Sequence, residues 1–175
     1  MQPSPFKTAV NFGAISGLFC FVIFILLYKT GINPLGPGSW LAIWVPPLFI
    51  FLATKRFRNE ELKGFISFGA AFRTGFLTAS SGALLYALLI YIFGTLIDPS
   101  VLDNFKEMML VELEQTESMM RSVLGDSIYE KSIEEINNTT FKSMAMNDFF
   151  NKCISGAIFS LITAAILKRK SIEIQ

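Results

Sequence analysis

The sequence predicts an all-α fold: an integral membrane bundle of four transmembrane helices, with an extramembrane helical hairpin between spans three and four. Three observations carry this. Charge is nearly absent from three long stretches and crowded between them. Those stretches approach or exceed the roughly 20 apolar residues that cross a bilayer core of about 30 Å. The one long polar piece, residues 98–148, repeats its apolar residues at helical spacing. The apolar share, 52%, decides little, because soluble domains reach about 45–50%. Residues 1–175 read as a single membrane domain, and each span must be a helix because lipid cannot hydrogen-bond a free backbone.

Span one, about residues 8–28, is the 21-residue uncharged run between Lys7 and Lys29, greasiest from Phe19 to Leu27. It exceeds a secretory h-region of about 7–15 residues and runs into Tyr28-Lys29-Thr30-Gly31, which favours a retained helix. Span two, about 39–57, begins after the turn Gly36-Pro37-Gly38 with Ser39 as N-cap. Trp40 and Trp44 mark its interfacial start, and Lys55 and Arg56 snorkel from its end. Pro46-Pro47 is expected to kink it, and a re-entrant segment is the competing reading. Span three is the 24-residue uncharged stretch 74–97, ending at Asp98-Pro99, an N-cap and N1 pair. Span four, about 149–167, ends in Lys168-Arg169-Lys170. Its uncharged part, from Cys153, is only 15 residues, so Lys152 is expected near the interface, paired with Asp148 four residues earlier.

The insert reads as two antiparallel helices. Leu102, Phe105, Met109 and Leu113 recur on one face, and Met120 and Val123 extend it. Gly125-Asp126 makes the turn, a second helix covers about Ser127 to Ile136, and Asn137-Asn138 ends it. Thr139 or Thr140 then caps a helix entering span four. The apolar stripe either packs within the protein or, with Met108, Met109, Met119 and Met120, docks a partner membrane protein. Phe65, Phe68, Phe72 and Phe76, with Lys63 and Arg73 nearby, read as an interfacial helix feeding span three, with lipid headgroups as the sharper alternative.

Small residues recur at every fourth position as Ala9, Gly13, Gly17, as Gly75, Ala79, Ala83, and as Gly156, Ser160, Ala164. Such faces allow close helix approach in lipid, so spans one, three and four are expected to form the tight core. Orientation follows Lys and Arg. The second connection carries Lys55, Arg56, Arg58, Lys63 and Arg73, and the first carries Lys29 alone. Both termini and the second connection are therefore expected in the cytoplasm. The third connection has five basic residues against eleven acidic ones, and acids count for little in this rule.

Several classes fall away. A net charge of +1 offers no nucleic-acid footprint. Histidine is absent, removing the commonest general base and metal ligand. Cys20 and Cys153 form no zinc-type cluster. No P-loop, GxSxG or HExxH occurs, so no catalytic, cofactor or metal residues are assigned, and an enzyme is not expected. Asp98, Asp103 and Glu107 could hold a cation, but acids also suit a helix N-terminus. Asn137 and Asn138 head Asn-x-Thr triplets, a weak modification signal. No ionisable residue is expected near the middle of any span, the default mark of a transport path.

The order of two spans, the stretch Lys63-Gly64-Phe65-Ile66-Ser67-Phe68-Gly69-Ala70-Ala71-Phe72-Arg73-Thr74-Gly75, span three, Asp98-Pro99, an acidic helical insert and a last span ending in Lys-Arg-Lys resembles the domain of unknown function 4199 family, small four-span proteins of Bacteroidetes-type bacteria. The resemblance covers nearly the whole chain. It implies a bacterial inner membrane and a periplasmic hairpin, and it supplies no functional residues. The expected function is a non-enzymatic accessory or partner-binding membrane subunit. The alternative is a small transporter or lipid-binding membrane protein, for which the Pro-containing span two and the polar stretch Thr78-Ala79-Ser80-Ser81-Gly82 speak.

Overall fold

The computed structural model describes residues 4–169, all helix and connections apart from one isolated bridge. Lys170, part of the expected basic end, lies outside the described residues. Helix α1 spans Pro5–Lys29, with Ser4 as N-cap and Pro5 at the start, where a missing N–H costs nothing. A 3-10 segment, Pro37–Ala42, leads into α2, Val45–Arg56, which continues as a π-helical turn, Phe57–Glu61. Helix α3, Phe68–Ile92, likewise continues as a π turn, Phe93–Ile97. The insert forms α4 (Ser100–Gln115), α5 (Glu117–Leu124) and α6 (Asp126–Asn137), and α7 runs unbroken over Phe141–Leu167. Four helices are long and apolar enough to cross a membrane: Pro5–Lys29, Pro37–Glu61, Phe68–Ile97 and Phe141–Leu167.

Their outward faces fit that solvent. Ile154, Ile158, Ile162 and Ile166 form an exposed stripe along α7, and Leu18, Val22, Leu26, Leu84 and Leu88 are exposed on α1 and α3. An uninterrupted apolar band of this kind is a liability in water and the requirement in lipid.

Helix α3 is the centre of the bundle, packed on α1 along one side and on α7 along another. The small residues explain the closeness. A Cβ placed on Gly82 would lie 2.8 Å from the carbonyl oxygen of Gly13, and one on Gly17 would lie 2.6 Å from that of Gly82. On the other side Gly75 meets Ser160, and Gly156 meets Ala79. The expected tight core of spans one, three and four is therefore corrected in one respect. Spans one and four each pack on span three, and Gly13 and Gly156 face α3 rather than each other. Gly82, outside the Gly75-Ala79-Ala83 row, supplies the α1 side.

Span two differs from expectation in detail. Ser39 is not its N-cap; Ser39 lies inside the 3-10 segment, and its N–H donates to the Gly36 carbonyl at 3.0 Å. Pro46 and Pro47 do not kink a helix. They occupy the first turn of α2, where no helical hydrogen bond is lost. Nor is the segment re-entrant. It starts with Gly38 against Leu27, near the end of α1, and finishes with the Glu61 carboxylate accepting from Thr8 Oγ1 at 2.6 Å, near the beginning of α1.

The lead into α3 is also corrected. Phe65 lies outside the helix, in a short extended segment where Ile66 exchanges backbone hydrogen bonds with Arg169 at 3.1 and 2.9 Å. Ser67 then caps α3, and Phe72 and Phe76 stack with centroids 5.9 Å apart. In the insert, the single long helix expected from Pro99 to Val123 is broken at Thr116, whose Oγ1 bonds to the carbonyls of Glu112 and Leu113 and so competes with the helical ladder. Gly125, at φ 88°, makes the following turn with backbone that an L side chain rarely adopts.

Candidate functional site: an ion pair inside the bundle

The start of α7 decides the site. Thr140 is its N-cap, in a reciprocal capping box with Ser143. The helix thus begins at Phe141, about two turns before Asp148 and about three before Lys152. Lys152 lies roughly 16 and 22 Å from the two ends of α7, at 1.5 Å per residue. The antiparallel register agrees. Phe141 packs on Gly94 and Gly156 on Ala79, which sets Lys152 beside Tyr86, well inside α3. Two ionisable side chains therefore sit within the length of α7, a helix long and apolar enough to cross a membrane.

They are held together. Lys152 Nζ donates to Asp148 Oδ1, one helical turn away, and stands 4.4 Å from the centroid of the Tyr86 ring. Both side chains are about a quarter exposed, 25% for Lys152 and 28% for Asp148. Asp148 Oδ2 is shielded and has no hydrogen-bond partner. A buried carboxylate oxygen without a donor costs on the order of 1–3 kcal/mol or more, so this atom is an unfilled acceptor.

The pair lines a cleft of about 340 Å³ between α7 and the 3-10 segment with the first turn of α2. Asn151 and Ser155 continue its polar wall, Trp40, Ile43 and Phe159 supply apolar surface, and the buried Cys20 and Tyr86 close its inner side. The 3-10 segment Pro37–Ala42 and the first turn of α2 supply the wall opposite α7.

Other sequence candidates do not enter this site. Thr74, Thr78 and Ser81 turn their hydroxyls onto carbonyls of their own helix, at 2.7–2.8 Å, as neutral polar residues do in lipid. Ser80 meets the Cys153 thiol at 3.8 Å. Asp98, Asp103 and Glu107 form no metal-ligating group among the described residues. Asp98 instead accepts from Ser100 N at 3.0 Å and Ser100 Oγ at 2.6 Å, and from the Tyr28 hydroxyl at 2.7 Å. Those bonds, that of Ser100 foremost, hold its carboxyl below the usual carboxylate range. The four methionines do not share one face: Met108 covers Gly36 and Met119 is exposed. In the insert Arg121 instead organises the contacts, pairing with Asp126, Glu117 and Glu130 at 2.7–2.8 Å and lying 4.2 Å from the Tyr129 ring centroid.

The fold and the site define an α-helical membrane protein with four membrane-crossing helices and an Asp–Lys pair lining a cleft in its bundle. The chain belongs to the family whose model is described as protein of unknown function (DUF4199), which matches residues 11–169. No curated protein and no solved structure matches it.

Proposed function

We propose that this protein is a ligand-binding membrane protein, a lipid-binding protein or small transporter, that admits an amphiphile to the cleft beside Asp148 and Lys152. The observation that carries this is the pair itself. Ionisable residues within a membrane-spanning helix are expensive and mark functional paths by default, and this pair lines an open cleft. The reading is of binding rather than catalysis. We place the protein in a bacterial inner membrane, with both termini and the α2–α3 connection in the cytoplasm and α4–α6 as an outer hairpin. The basic residues Lys55, Arg56, Arg58, Lys63 and Arg73 support that orientation.

Native mass spectrometry of protein released from lipid nanodiscs tests the reading. The wild type should retain about one lipid through mild activation, and the double variant Asp148→Leu/Lys152→Met, which removes both charges together, should lose it while remaining helical. Equal stripping of the two proteins would sink the proposal.

A second reading, an accessory subunit docking a partner membrane protein through the insert, is favoured by the exposure of Met119, Val123, Leu124 and Ile128 around the α5–α6 turn. Affinity purification should then recover a stoichiometric partner that Val123→Glu releases. Recovery of the bare chain argues against it.

A further inference from the structure

We propose that the cleft selects a zwitterionic phospholipid whose headgroup carries an N–H-bearing ammonium, the phosphatidylethanolamine class. This rests on the ligand-binding reading above and names its ligand.

Charge balance comes first. Asp148 and Lys152 together are neutral, so a singly charged ligand would leave one uncompensated charge in a low-dielectric wall, which is costly. A ligand with one positive and one negative group matches the pair term by term. An anionic lipid satisfies Lys152 and repels Asp148, and a fatty amine does the reverse.

Donor count comes second. Lys152 gives one of its three N–H donors to Asp148 Oδ1. It has donors left for a phosphate oxygen. Asp148 lines the cleft, and its Oδ1, which accepts from Lys152, keeps lone pairs for a further donor. That oxygen can take an N–H from the ligand. A quaternary ammonium brings the same charge with no N–H, so it cannot complete the carboxylate. The ligand body has a place as well, because Trp40, Ile43 and Phe159 line the same cleft, and Trp40 and Ile43 are among the most exposed apolar residues of the chain, at 72% and 61%.

The test keeps charge constant while removing donors. The wild-type chain is placed in nanodiscs holding equal amounts of phosphatidylethanolamine, its mono-, di- and trimethylated forms, and phosphatidylglycerol, and retained lipid is identified by native mass spectrometry. Retention should persist as long as one N–H remains and drop about tenfold or more at the trimethylated form, since a hydrogen bond to a buried charged group is worth at least that factor. Asp148→Asn should erase the step. Should that variant misfold, the exchanged pair Asp148→Lys/Lys152→Asp keeps both charges and serves as the comparison. Retention of a lipid without headgroup preference overturns this proposal and leaves the ligand-binding reading standing. Preference for phosphatidylglycerol overturns it in the same way. Retention of no lipid at all overturns both.

Discussion

Helix α7 meets the rest of the protein in two different ways. Against α3 it presents Gly156, Ser160 and Ala164, and the fit is close enough that a Cβ placed on Gly75 would lie 2.8 Å from Ser160 Oγ. Toward the 3-10 segment it presents Asp148, Asn151, Lys152 and Ser155, and the space is about 340 Å³. One surface uses small residues to bring backbones together where packing has to replace the hydrophobic effect. The other keeps charged groups apart from a neighbour. The first holds the bundle; the second has no structural purpose that packing would explain, which is why function is sought there.

Substitutions separate the two surfaces. The largest effect is expected at the seam: Gly13→Leu puts a branched side chain into the Ser81 hydroxyl and the Thr78 carbonyl and should cost about 3 kcal/mol, as overpacking does at its upper range. The check is reversible unfolding in mixed micelles. Next, Lys152→Met alone leaves the Asp148 carboxylate unpaired and should cost about 2–3 kcal/mol, discounted for its partial exposure. Asp148→Leu/Lys152→Met together should recover most of that loss. Equal destabilisation by the single and double changes would mean that the pair is a structural brace, and the contrast between the surfaces would dissolve.

Smaller effects belong to the insert. Arg121→Ala removes three exposed ion pairs and the contact with Tyr129, and should destabilise the insert only slightly. Hydrogen exchange should then quicken in α5 and α6 and stay unchanged in the four long helices. The smallest effect is a pH dependence at Asp98. Its carboxyl is held low in the folded protein, so its stabilising contribution is complete above the unfolded value near about 4. It is lost as pH falls through the lower folded value. The difference in melting temperature between wild type and Asp98→Asn should therefore shrink on acidification below about pH 4, and a constant gap would assign the Tyr28–Asp98–Ser100 bonds no energetic role.

Much of this architecture was legible in the order of residues. The charge-poor stretches mark the spans, the small-residue rows mark the seam, and Gly125 and Thr140 mark a turn and a cap. The place of Lys152 at a cleft inside the helix was not. Counting an uncharged run stops at the first charge, so the fourth span was started at about residue 149, with Lys152 at its margin. A carboxylate and an ammonium one turn apart neutralise each other, and the apolar residues Met144, Ala145, Met146, Phe149 and Phe150 around them carry the helix further. The cap at Thr140, already visible, was the signal that the helix begins more than a turn earlier. Gly82 escaped because the row Gly75-Ala79-Ala83 drew attention to one side of α3, while Thr78 and Gly82 form a second row facing α1. One wall of the cleft is the segment Pro37–Ala42, whose 3-10 geometry residue pattern alone does not specify.

The backbone exchange between Ile66 and Arg169 bears on how the chain is made. It fastens the connection after the second helix to residues that leave the ribosome about a hundred positions later, and closing so long a loop carries an entropic cost that only already-docked helices reduce. The first three helices must therefore wait in the bilayer with that strand-like edge unfilled, and the arrival of the fourth shuts the protein like a clasp.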